Sequence, residues 1–164
     1  VRFGAQLAAG TTVMPGASYI NFNAGTTGPV MVEGRISSSA IVGAGSDIGG
    51  GASILGVLSG TDGNPISIGK NTLLGANSTC GIPLGDGCII DAGVSILAGT
   101  KIAIYPEQLK KIMEVNTNAN MEGEIFKAGQ LAYFSGLHFR QNSLTGEMTA
   151  SRSTREIKLN SDLH

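Results

Sequence analysis

Few of the 164 residues carry groups able to do chemistry. Residues 1–101 hold only nine charged side chains, and two of them lie together in Met31-Val32-Glu33-Gly34-Arg35. A carboxylate among apolar neighbours can take a proton or attack an electrophile. A guanidinium two residues on offers a planar fork to a carboxylate or carbonyl. The same pair also reads as a surface ion pair on a strand, which contributes little, and spacing alone does not choose between the two. The glycine-rich part has no histidine. His138, in Leu137-His138-Phe139, reads as a packing residue, and His164 as an inert terminal one. Neither Cys80 nor Cys88 has a base nearby, and two cysteines make no disulfide framework. No CxxC or HExxH spacing suggests a metal. Gly43 to Gly51 carries the letters of a loose glycine fingerprint without the strand-turn-helix setting that a dinucleotide site needs.

The elements that must position these groups are set by a period of six. Apolar residues recur at Val1, Leu7, Val13 and Tyr19, then at Val30, Ile36, Val42, Ile48 and Ile54. They continue at Ile68 and Leu74 with Cys80 in phase, then at Leu84, Ile90, Ile96 and Ile102. Six matches neither a helix nor a simple strand; it is the hexapeptide signature of a parallel β-helix. Three hexads close one triangular coil of about eighteen residues, and coils stack about 4.8 Å apart. The apolar residue points inward, so Cys80 is expected as a small core residue. Small residues follow it, as in Leu74-Gly75-Ala76, because the corner has little room for a Cβ and glycine tolerates positive φ. The phase slips between Tyr19 and Val30, between Ile54 and Ile68 across an excursion at Ser59 to Pro65, and between Cys80 and Leu84.

Composition changes near Lys101. Before it lie 21 of the 25 glycines; after it lie fourteen charged residues and five of the eight aromatics. The expected fold class is therefore all-β: a hexapeptide β-helix over residues 1–103 with a small helix and hairpin appendage over 104–164. Pro106 to Val115 reads as a short capping helix, with proline in the first turn and Leu109, Ile112 and Met113 on one face. Asn116 to Glu124 reads as a loop, Leu144 to Glu147 as a hairpin turn, and Ser151 onward as a polar tail. A net charge of −1 gives no basic footprint for nucleic acid. No run of 18 apolar residues suggests a membrane helix. The chain opens Val1-Arg2-Phe3-Gly4, without methionine or a signal peptide, and reads as a piece of something longer.

Around Glu33 the sequence becomes recognisable. Asn21-Phe22-Asn23-Ala24-Gly25, Met31 to Ser37 and Gly45 to Ile54 resemble tetrahydrodipicolinate N-succinyltransferases, in particular the branch found in actinobacteria and pseudomonads. Ile66-Ser67-Ile68-Gly69-Lys70, Leu73 to Ser78 and Leu84-Gly85-Asp86 continue the likeness. Phe139-Arg140-Gln141-Asn142-Ser143 is similar to a late family motif usually written with two arginines. The resemblance implies a left-handed coil and a homotrimer with sites between neighbouring prisms. It also implies a separate N-terminal domain outside this chain, a cytoplasmic setting, and succinyl transfer from succinyl-CoA in lysine and diaminopimelate synthesis.

The resemblance also implies roles. Glu33 aligns with the family's catalytic glutamate, as nucleophile or general base, and Arg35 with a ligand contact. Gly50, Ser53, Ala76, Asp91, Ala92 and Gly99 align with CoA-lining positions, where small residues let the thin pantetheine arm lie along backbone. Lys127 and Arg140 would serve CoA phosphates, with Gln141, Asn142 and Ser143 beside them. Gln141 replaces the usual arginine and Asp91 the usual glutamate. The family's magnesium site uses an acid near Pro15-Gly16, absent here, and another upstream of Val1, outside this chain, so no metal or other cofactor is expected. Two alternatives are another CoA-dependent acyltransferase, whose common kind uses a coil histidine that is missing here, and a non-catalytic scaffold. Ice-binding scaffolds carry threonine ladders, and none recurs at a fixed phase.

Overall fold

The computed structural model describes residues 1–56 and 63–162. Most of the excursion at 59–65, and His164, lie outside them. Short parallel strands stack into three faces. One runs Thr12–Val13, Met31–Val32, Asp47–Ile48, Leu73–Leu74 and Ile89–Ile90. The second runs Tyr19–Ile20, Arg35–Ile36, Ser53–Ile54, Thr79–Cys80 and Ser95–Ile96. The third pairs Gly25–Thr26 with Ile41–Val42 and continues through bridges at Ile68 and Leu84. The successive parallel coils make a β-helix.

Register builds the core. Val13, Val32, Ile48, Leu74 and Ile90 stand level on the first face. Ile20, Ile36, Ile54, Cys80 and Ile96 stand level on the second. From Val30 onward every hexad residue is buried. The first set is different. Val1, Leu7 and Tyr19 are exposed, and Ile20 takes the inward place expected of Tyr19. Coil length varies: the level pairs Val32–Ile48 and Leu74–Ile90 are sixteen residues apart and Ile48–Leu74 twenty-six. The longer interval contains the excursion.

Two properties make the corners small. Gly45, Asn71 and Gly87 have φ of 79°, 53° and 67°, and Gly51, Asn77 and Gly93 have 71°, 57° and 72°. These are left-handed conformations that glycine and asparagine accept most readily. Gly75 instead meets a close approach, since an added Cβ would lie 2.4 Å from the Ala92 nitrogen of the next coil. Behind one corner Ser46, Thr72 and Cys88 are all buried. The Ser46 hydroxyl donates to Gly69 O and accepts from Thr72 N–H, and the Thr72 hydroxyl accepts from Cys88 N–H. These bonds join coils where an apolar ladder would leave corner amides and carbonyls unpaired.

The C-terminal part covers the far end. The helix Pro106–Val115 buries Ile112 and packs Leu109 and Met113 on the core. Leu137–Gln141 adds in parallel to Ile89–Ile90, and Met148–Arg152 returns antiparallel beside it. Lys101–Ala103 and Ile125–Lys127 complete that sheet. The turn is held by Asn142, whose side-chain oxygen accepts from Leu144 and Thr145 N–H. Phe139 caps the inward ladder above Ile90.

Gly75→Ala should destabilise the chain by about 2 kcal/mol, because backbone must move to admit the methyl. Gly99→Ala, with nothing within 4 Å of its added Cβ, should stay within about 0.5 kcal/mol. Thermal melts of the two variants check the contrast.

Candidate functional site

The corner that follows the first face collects most of the singled-out residues. Main-chain bonds link its rungs: Glu33 N–H to Ile48 O at 2.8 Å, Gly49 to Leu74 at 2.8 Å, Gly75 to Ile90 at 2.8 Å, and Asp91 to Phe139 at 3.1 Å. Register therefore puts Glu33, Gly49, Gly75, Asp91 and Arg140 in one line, and Gly50, Ala76, Ala92 and Gln141 in a parallel line beside it. Glu33 and Arg140 are four rungs apart, about 19 Å. Between them the edge carries only hydrogen or methyl side chains until Asp91, which leaves backbone open to a thin ligand.

Glu33 is half-buried, and its carboxylate has no hydrogen-bond or ion-pair partner among the described residues. The predicted surface pair with Arg35 does not form. Arg35 turns onto the second face, where its Nε donates to Ser53 Oγ at 2.9 Å. A Cβ added at Gly50 would meet only Glu33 Oε2, at 3.7 Å, so the space beside the carboxylate exists because residue 50 lacks a side chain. An unpartnered carboxylate facing such a slot is free to act as nucleophile or base.

The remaining residues lie elsewhere. Gly99 is exposed at the next corner, after Ser95–Ile96. Lys127 is in the end sheet and stands opposite Lys101. Ser143 is exposed in the hairpin turn, where Asn142 organises the loop; the Gln141 side chain reaches Gly146 O at 3.3 Å. One prism thus places Glu33, Gly50, Ala76, Asp91, Ala92, Arg140 and Gln141 on one edge, with Arg35 and Ser53 just around it, and Gly99 and Lys127 away from it.

Two residues carry more than the sequence reading gave them. His138 is buried, but its surroundings are polar. Nε2 lies 2.6 Å from Asp91 Oδ1, and Nδ1 lies 3.1 Å from Arg140 Nη2. The alternation Leu137-in, His138-out, Phe139-in was the available signal, since it puts His138 on the face of Asp91 and Arg140. Lys101 faces Lys127 directly across an antiparallel pair, an arrangement that favours an anion nearby because like charges there repel. The adjacent carboxylate of Glu147 instead accepts the Tyr105 hydroxyl at 2.9 Å, and that contact raises the Tyr105 pKa.

The other candidate chemistries find no support. Burial pushes the Cys80 thiol up to about 12 and the Cys88 thiol up to about 11, which makes nucleophilic thiolates scarce near neutrality. The turn around Pro15 and Gly16 has no carboxylate, and the described residues hold no group of three His, Cys, Asp or Glu side chains fit for a metal. No helix among the described residues is long and apolar enough to cross a membrane.

Residues 65–98 match the hexapeptide repeat of succinyl-transferase, in agreement with the stacked parallel coils. The chain is 76% identical, over all of its length, to a 2,3,4,5-tetrahydropyridine-2,6-dicarboxylate N-succinyltransferase of Sulfurovum, of which it covers 42%. It is 61% identical to the protein of the same name from Campylobacter jejuni, again covering 42%. A solved Campylobacter jejuni structure, described as a 2,3,4,5-tetrahydropyridine-2-carboxylate N-succinyltransferase, matches with a TM-score of 0.89 and 61% identity over 96% of this chain and 41% of that one. The chain spans less than half the length of these relatives.

Both cysteines should resist an aromatic disulfide reagent at pH 8 in the folded chain and react fully in guanidinium. The raised thiol pKa values also set a direction for stability. Below the ordinary thiol pKa of 9.0 their contribution is complete, and it is lost as pH climbs from 9 toward 12, because the unfolded chain gives up these protons first. Urea melts at pH 8 and pH 10.5 check the sign.

Proposed function

We propose that this chain forms the catalytic part of an enzyme that transfers a succinyl group from succinyl-CoA to the amine of ring-opened tetrahydrodipicolinate, in lysine and diaminopimelate synthesis. One observation carries the reading: an unpartnered carboxylate, Glu33, faces the slot left by Gly50 on an edge of small residues that ends at Arg140. The pantetheine arm lies along that edge and hydrogen-bonds to backbone. Its thioester sits at Glu33, and its phosphates lie toward Arg140 and Lys127. Arg35, braced by Ser53, receives the succinyl carboxylate.

The chemistry follows from that placement. Glu33 attacks the thioester carbonyl, the C–S bond breaks, and CoA leaves as the thiolate that then takes a proton. The acceptor amine attacks the resulting mixed anhydride, forms the amide, and returns Glu33 as a carboxylate. The proton lost by the amine goes to solvent. Backbone N–H groups at the bare corner are the available donors for the oxyanion of each tetrahedral intermediate.

The finer architecture belongs to the same proposal. The coil is left-handed, residues 1–103 form the catalytic prism and 104–164 its cap, and three chains assemble. Assembly supplies what one prism lacks, since Gly99 and Lys127 lie off the Glu33 edge and a neighbour's corner would complete the groove. The protein works in the cytoplasm on small molecules.

The test is chemical trapping. Chain mixed with radiolabelled succinyl-CoA and quenched in acid should retain hydroxylamine-labile label, and Glu33→Gln should lose both the label and at least 10³-fold of turnover, the scale of losing a nucleophile. Turnover without trapped label would assign Glu33 to base catalysis of direct transfer. Full turnover in Glu33→Gln would sink the mechanism. Light scattering at micromolar concentration should give three times the chain mass; a monomer would reject the shared groove.

A further inference from the structure

We infer that His138 is a positioning residue that fixes Arg140 to receive a phosphate of the acyl-CoA; the assignment rests on the function proposed above. Three side chains meet at the far end of the edge. The strand Leu137–Gln141 alternates, so Leu137 and Phe139 enter the core while His138 and Arg140 point outward. The pairing of Ile89 with His138 brings Asp91, two residues on, alongside them.

His138 is 3% exposed, whereas the Asp91 and Arg140 side chains are 40% and 56% exposed. A buried imidazole must find partners for both nitrogens. Nε2 lies 2.6 Å from Asp91 Oδ1, and Nδ1 lies 3.1 Å from Arg140 Nη2, so both ring nitrogens meet a polar group. Arg140 Nε is also 3.2 Å from Nε2, so the guanidinium lies against the ring, and Asp91 Oδ2 stands 4.0 Å from Nε. One face of a long, mobile side chain is thereby held between a ring and a carboxylate. Of the guanidinium nitrogens, Nε and Nη2 meet the ring, while Nη1 has no hydrogen-bond partner among the described residues and is left for a phosphate.

The geometry argues against a catalytic part for this Asp–His pair. Asp91 is three rungs from Glu33, about 14 Å, too far for proton exchange with the reacting atoms. Holding Arg140 is also a role the sequence makes hard to share: with Gln141 beside it, Arg140 is the one guanidinium in Phe139-Arg140-Gln141-Asn142-Ser143.

The experiment measures binding of CoA and of pantetheine, which has no phosphate, to this chain and two variants. His138→Phe keeps the ring's bulk and removes both hydrogen bonds. His138→Gln keeps one donor and one acceptor. The expected result is a roughly tenfold weaker CoA Kd in His138→Phe, an unchanged pantetheine Kd, and near wild-type CoA binding in His138→Gln. An equal loss for both ligands, or unaltered CoA binding in His138→Phe, would overturn the assignment while leaving the acyl-CoA reading intact. A parent chain that binds neither ligand would overturn both. Melting temperatures of the variants guard against a folding defect; if His138→Phe does not fold, His138→Leu takes its place, with the same loss for CoA and not for pantetheine expected, and unaltered CoA binding rejecting the role.

Discussion

Everything in this molecule depends on one repeat distance. Each rung bonds to the next through main-chain N–H and C=O groups, as Glu33 bonds to Ile48 and Asp91 to Phe139. A residue's place along the prism is thus set by backbone pairing. The stacked side chains of Val32, Ile48, Leu74 and Ile90 make that pairing favourable, since each buried ladder member is covered above and below. A slip of one residue along a rung would turn the apolar set outward, so register is strongly fixed wherever the core is continuous. Function inherits this. Residues many positions apart in sequence become neighbours in a line, and a long thin ligand finds a straight edge.

The same constraint creates the molecule's two difficulties, its corners and its ends. At a corner the chain reverses within a few residues, and glycine or asparagine takes the left-handed conformation. Some corner glycines answer to a second demand, because the next coil is too near for a Cβ. Gly50 meets neither demand, since its φ is not left-handed and an added Cβ would meet only Glu33 Oε2 at 3.7 Å, and it leaves the corner open beside Glu33. At the far end the last coil is closed by a helix and an antiparallel hairpin, which cover an edge that would otherwise present unpaired backbone.

That closure joins cap and site. The strand Leu137–Gln141 caps the inward ladder with Phe139 and extends the ligand edge with Arg140. One strand therefore ties the end of the core to the end of the groove. The buried His138 lies between these duties, its ring covered by the cap and its nitrogens facing Asp91 and Arg140. A cap that only sealed the prism would have no need of such a polar contact, since an apolar residue of similar size is easier to bury.

The period of six, the inward ladder from Val30 onward, the capping helix and the hairpin turn were all legible in the sequence, because each is a local pattern repeated or bounded by turn residues. The residue series around Glu33 was legible too, as a likeness to a family. The inward place of Ile20, the end sheet built from Lys101, Lys127 and the hairpin, and the surroundings of His138 were not. Tyr19 fits the hexad count as well as Ile20 does, and only the level pairing with Ile36 separates them. Glu33 and Arg35 look like an ion pair until the corner between them turns Arg35 toward Ser53. His138 reads as core from its neighbours, and becomes a polar contact only when a strand 47 residues earlier brings Asp91 beside it. The sequence by itself determined the repeat and, from Val30 onward, which residues face inward, since burial of an apolar residue at a fixed period needs no knowledge of distant partners. Tertiary structure alone decided which polar groups meet, because hydrogen bonds act over about 3 Å and only the stacking of coils brings distant residues that close.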